Sequence, residues 1–93
     1  MFTNTEGFQN IAVGRQSLYS NTTGDCNVAL GYNSLFSNTT ANNNTGVGTH
    51  ALFANTTGTN NVAMGCGALT ANTTASNNTA VGLRTLLANT TGA

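Results

Sequence analysis

A 17-residue period runs along the chain without an insertion, and it limits the fold more than any other feature. The period places Gly14, Gly31, Gly48, Gly65 and Gly82 in one column and Asn10, Asn27, Asn44, Asn61 and Asn78 in a second. Leu18, Leu35, Leu52, Leu69 and Leu86 form a third, and the triplet Asn-Thr-Thr begins at Asn21, Asn38, Asn55, Asn72 and Asn89. Full units therefore occupy 8–24, 25–41, 42–58, 59–75 and 76–92, preceded by a partial unit with Asn-Thr-Glu-Gly at 4–7. Such a recurrence means that each unit buries its edges on the next, so 1–93 reads as a single repeat array.

Seventeen residues are too few for two helices with their turns, but they suit one coil of a parallel β-solenoid. The expected fold is all-β, a β-roll with one unit per coil and a partial coil at the N-terminus. Ile11, Val28, Thr45, Val62 and Thr79 are β-branched and favour a strand. Two residues on stand Val13, Leu30, Val47, Met64 and Val81, and between the two columns lie Ala12, Ala29, Gly46, Ala63 and Ala80. Period-two alternation sends the bulky columns to one side and the small column to the other. The expectation is that the bulky pair faces inward and the small column outward, either packed close to another chain or as plain filler on a tight coil. The glycine column then reads as a turn that uses positive φ. A second strand is expected to carry the leucine column and the small residues Ser20, Ser37, Ala54, Ala71 and Ala88, with a second turn at Asn-Thr-Thr-Gly or Asn-Thr-Thr-Ala.

Charge is nearly absent. Glu6, Arg15, Asp25 and Arg84 are the whole set, and the net charge is zero. Polarity comes instead from 16 Asn and 18 Thr. In a solenoid identical side chains recur every ~4.8 Å, so a charged column would repel itself while an Asn column can donate and accept along its length. Two Arg and no Lys exclude a basic nucleic-acid face. No apolar run has the length of a membrane span, and the N-terminus does not read as a signal peptide.

Few residues offer chemistry. Cys26 and Cys66 lie in different columns, more than two coils apart, which reads as two small filler residues without a bridge within the chain, a bridge between chains being the alternative. Together with a lone His50 they give no metal-ligand spacing, and Glu6 and Asp25 form no acid–base pair. No catalytic constellation or cofactor motif is present, so the expectation is a non-enzyme. Asn21, Asn38, Asn43, Asn55, Asn72, Asn77 and Asn89 stand in N-x-T glycosylation acceptor patterns. The Asn-Thr-Thr asparagines among them can carry sugar only if they point outward. Counting on from an inward Leu35 along a regular strand places Asn38 outward.

The segments 27–31 (NVALG), 61–65 (NVAMG) and 78–82 (NTAVG) resemble the NSVAIG-type head repeats of YadA-like trimeric autotransporter adhesins. Similar Asn/Thr/Gly-rich repeats occur in bacterial surface and phage tail-fibre proteins. The resemblance implies left-handed parallel β-rolls, three chains side by side, and a rigid spacer or binding surface without catalysis. It covers the first strand of each unit, and the leucine and Asn-Thr-Thr part departs from it.

The leading functional expectation is a structural segment or subunit of an extracellular, cell-surface or virion fibre. The last unit is as regular as the others and lacks a polar cap, so the array is expected either to continue in a longer chain or to associate with itself, as a trimer or an end-to-end filament. The alternative is an adhesin or receptor-binding head that meets a glycan or host surface. Its candidate patch is the variable column Arg15, Tyr32, Thr49, Cys66 and Leu83 with the neighbouring His50 and Arg84. A remote alternative is ice binding by Thr columns, weakened because adjacent Thr residues alternate faces.

Overall fold

The computed structural model describes residues 7–86, 89 and 90. The chain is a parallel β-solenoid. β1 (Ile11–Val13), β2 (Val28–Leu30), β3 (Thr45–Val47), β4 (Val62–Met64) and β5 (Thr79–Val81) form one sheet in chain order, one short strand per coil. All pairs are parallel and in the register that the period sets: Ile11 pairs with Val28, Val28 with Thr45, Thr45 with Val62 and Val62 with Thr79. The partial N-terminal unit lies mostly outside the described residues. Among those residues no helix is long and apolar enough to cross a membrane.

Coil-to-coil bonding continues well past the strands. Leu35 N–H donates to Ala51 O at 2.9 Å, Ser37 N–H to Phe53 O at 3.1 Å and Asn33 N–H to Arg15 O at 3.1 Å. Backbone amides that would be orphaned in an isolated loop thereby find partners one unit away.

Among the described residues only one strand forms per coil, which corrects the expectation of a second strand at the leucine column. Leu18, Leu35, Leu52, Leu69 and Leu86 lie in turns with φ between 48° and 53°. A left-handed L-residue costs roughly 1–2 kcal/mol. Leu18, Leu35, Leu52 and Leu69 are fully buried, and burying a Leu side chain contributes about 1.5–3 kcal/mol. For these four, burial outweighs the strain, and the turn aims each at the axis.

The facing of the strand also reverses the expectation. Ala29, Ala63 and Ala80 are buried, as is Gly46, whereas Ile11, Val13, Leu30, Met64 and Val81 are exposed. The interior explains this. The leucines and the small residues Ser17, Ser34, Ala51 and Ala68 press on the inner side of the strand. A Cβ on Gly46 would lie 2.7 Å from Ser34 Oγ and 3.4 Å from Leu35 Cγ. A Cβ there fits only if the Ser34 hydroxyl turns aside, and anything larger would meet Leu35 as well, so the bulky columns point out. Ser20, Ser37, Ala54 and Ala71, expected to alternate with leucine inside, are only half-buried.

The glycine column is the turn that follows the strand. Gly14, Gly31, Gly48, Gly65 and Gly82 have φ of 118–129°. A Cβ on Gly48 would stand 2.8 Å from the backbone C and O of Gly65, so successive glycines stack backbone on backbone.

Candidate functional site

Two asparagine columns hold the coil shut. In the Asn-Thr-Thr column, Asn38 Nδ2 donates to Asn21 Oδ1 at 2.9 Å, Asn55 to Asn38 at 3.1 Å, Asn72 to Asn55 at 2.8 Å and Asn89 to Asn72 at 3.2 Å. In the other column, each Oδ1 accepts the backbone N–H of the next rung: Asn10 from Asn27, Asn27 from Asn44 and Asn44 from Asn61, each at 2.9 Å, then Asn61 from Asn78 at 3.0 Å. The columns meet at one carbonyl per coil. Ala41 O accepts from Asn27 Nδ2 at 2.8 Å and from Asn38 Nδ2 at 3.1 Å, and Gly58 O accepts from Asn44 and Asn55 in the same way at 2.8 and 3.0 Å. A uniform row of amides satisfies its own buried polar groups, whereas a carboxylate in the row would accept without donating.

Among the described residues there is no cavity, so a partner meets faces rather than a pocket. The widest is the outer side of the sheet. Its two columns run from Ile11 and Val13 through Val28 and Leu30, Thr45 and Val47, Val62 and Met64 to Thr79 and Val81. Val13 is 58 % exposed, Met64 43 % and Val81 64 %. No ionisable side chain belongs to either column.

A second face is a corner built from the variable residues after the glycine turn. Tyr19, Phe36 and Phe53 occupy one column and stack, with ring centroids 5.1 and 5.3 Å apart. The His50 ring sets an edge against Phe53 at 5.2 Å and meets Tyr32 in the same manner at 5.6 Å. The Arg15 guanidinium carbon lies 5.9 Å over the Tyr32 ring, within the range of a cation–π contact. Asn33 Nδ2 approaches His50 Nε2 at 3.3 Å. The cluster ends where the next unit supplies Cys66, Gly67 and Thr70, and the stem of Arg84 lies over Gly67.

No protein-family model, curated protein or solved structure matches this chain.

The structure distributes the sequence candidates unevenly. Arg15, Tyr32 and His50 come together, while Thr49, Cys66 and Leu83 continue the same exposed column outside the aromatic cluster. His50 is half-buried, its ring edge-on to Phe53 and Tyr32. Cys26 and Cys66 are both unbridged and exposed.

The Asn-Thr-Thr acceptors need correction. Asn21, Asn38, Asn55 and Asn72 are fully buried, and Asn89 is half-buried with its amide donated to Asn72. Asn38 points inward because the left-handed turn at Leu35 interrupts the regular alternation on which the outward count depended. Sugar on these nitrogens would break the ladder and has no space.

Of the two Thr columns, the first donates inward: Thr22 Oγ1 to Thr39 O at 3.2 Å and Thr56 Oγ1 to Thr73 O at 3.2 Å. The second, Thr23, Thr40, Thr57 and Thr74, is exposed. The Tyr19–Phe36–Phe53 stack escaped the sequence reading. Its signal was the aromatic identity of one column in three consecutive units.

Proposed function

We propose that the chain is a rigid structural segment of an extracellular fibre, in which coils stack along the axis and the outer sheet face packs against identical chains. One observation carries this reading: the outer face has no ionisable group, and its column Val13, Leu30, Val47, Met64 and Val81 is apolar in every coil. Contiguous exposed apolar patches mark interaction sites, and interface cores are depleted of charge. A second chain is the occupant of choice because it presents the same ~4.8 Å rung spacing, so side chains of one strip meet gaps of the other at every coil. Fibre placement outside the cell is supported by the resemblance of 27–31, 61–65 and 78–82 to surface-fibre repeats. Sedimentation velocity across a hundredfold range of concentration tests the association. Discrete oligomers or filaments are expected, and a monomer throughout would end the proposal.

The aromatic corner favours a second reading, an adhesive surface. Tyr32 is exposed, flanked by Arg15 and His50. A ring beside a cation and a hydrogen-bonding imidazole suits the apolar face and hydroxyls of a sugar. Binding to immobilised glycans that disappears in Tyr32→Ala supports it, and no binding by the unaltered chain removes it.

A further inference from the structure

The acceptor patterns fall into two structural classes. In the Asn-Thr-Thr class the amide nitrogen is spent: Asn55 Nδ2 donates to Asn38 Oδ1 and to Gly58 O, and Asn72 Nδ2 to Asn55 Oδ1 and to Ala75 O. Asn43 and Asn77 form the other class. Both are exposed in left-handed turns, with φ of 60° and 64°. Asn77 Oδ1 accepts from Asn60 Nδ2 at 3.3 Å, but neither Asn43 nor Asn77 donates its own Nδ2 within the described residues. The hydroxyls that complete their patterns, on Thr45 and Thr79, are likewise without a partner there.

We propose that Asn43 and Asn77 are N-glycan acceptors of the folded chain and that the Asn-Thr-Thr asparagines are not. The co-reactant is a nucleotide-activated hexose presented by a glycosyltransferase. The Asn Nδ2–C1 bond forms as the bond from C1 to the donor's phosphate oxygen breaks. The nucleoside diphosphate leaves, and one amide proton passes to the enzyme's base.

Spacing supports the assignment. The outer strand column alternates Val28, Thr45, Val62 and Thr79, so an acceptor pattern arises in every second coil. Asn60 lies between the two acceptors, equally exposed, but Val62 stands where its Thr would be. Two coils separate the acceptors by about 10 Å, whereas a hydrated pyranose is wider than the ~4.8 Å of a single coil. The order of events follows as well. Transfer to an unfolded chain would reach the Asn-Thr-Thr amides and prevent the ladder from closing, so the compatible transferase acts after folding.

The test is to incubate the folded chain with a soluble N-glycosyltransferase and UDP-glucose, then map hexoses by intact and peptide mass. One hexose each on Asn43 and Asn77 is expected, and none on the Asn-Thr-Thr peptides. Thr45→Val with Thr79→Val should abolish both additions without unfolding the chain, because Val already fills this column at Val28 and Val62. An unmodified folded chain, hexose on Asn38 or Asn55, or labelling that survives the Thr→Val pair would each overturn the assignment.

Discussion

Asn38 commits both of its amide protons inside the coil, one to Asn21 Oδ1 at 2.9 Å and one to Ala41 O at 3.1 Å. Replacing that amide by a carboxylate of the same shape sets acceptor against acceptor twice, in a site with no exposure. Asn38→Asp should therefore cost on the order of 3 kcal/mol, the scale of an uncompensated buried charge. Asn43→Asp, on an exposed turn whose left-handed backbone Asp tolerates, should stay within about 0.5 kcal/mol. Urea unfolding followed by circular dichroism separates the two, and equal midpoints would show that the ladder contributes little.

Gly46 and Gly48 stand two residues apart and should respond in opposite ways to alanine. A Cβ at Gly46 meets first the Ser34 hydroxyl, which donates to Gly46 O at 2.8 Å. That hydroxyl can turn to Gly31 O, as Ser17 Oγ does to Gly14 O at 2.9 Å. Four of the five units already carry Ala in this column. At Gly48 the added carbon meets the Gly65 backbone at 2.8 Å, with φ at +124°. Gly46→Ala should shift stability by less than about 1 kcal/mol, while Gly48→Ala should lose roughly 2–4 kcal/mol from strain and overpacking together. Thermal melts of the two variants decide the matter.

How far the sequence reaches can be followed residue by residue. The spacing of Gly14 to Gly82 sets the coil length, the parallel register and the turn, and all three are present in the structure. The facing of the strand was not settled by alternation, which separates two faces without saying which is inside. A usable clue was there: the Ala column never exceeds Ala, as a confined interior requires, while Ile11, Thr45 and Met64 vary in size and polarity as an open face permits. The left-handed leucines were beyond reach, because local preference opposes them and only burial against the next coil reverses the balance. The buried state of Asn38 depends on that turn, so it was hidden with it.

The leucine column offers a test of that balance. Leu52→Met keeps the volume and an unbranched Cβ, and should cost less than about 1.5 kcal/mol. Leu52→Val removes one carbon, worth about 0.5–1.5 kcal/mol by analogy with other single-methylene losses, and places a β-branched residue at φ of 53°. Leu52 already bears the left-handed cost, so only the extra crowding of the branched Cβ adds to that loss, and Val should fall below Met. Denaturant midpoints in which Val matches Met would mean that the turn relaxes and that the leucines are not held against strain.

The outer face separates folding from association. Leu30 and Met64 project from β2 and β4 and are partly exposed, at 36 % and 43 %. Thr already occupies the outer side of the same strands' neighbours at Thr45 and Thr79, so a β-branched polar residue fits the sheet. Leu30→Thr with Met64→Thr should therefore leave monomer stability within about 1 kcal/mol. In an assembled fibre the exposed part of the same two side chains lies at an apolar contact, where whole-side-chain burial contributes about 1.5–3 kcal/mol and this part about 1 kcal/mol each. Losing both per chain should weaken association about tenfold or more, since 1.4 kcal/mol corresponds to a factor of ten. Sedimentation of the double variant beside the unaltered chain, with thermal melts of both, reads the two effects separately. An unchanged oligomer distribution would move the contact away from the sheet face, and the aromatic corner around Tyr32 would become the next surface to alter.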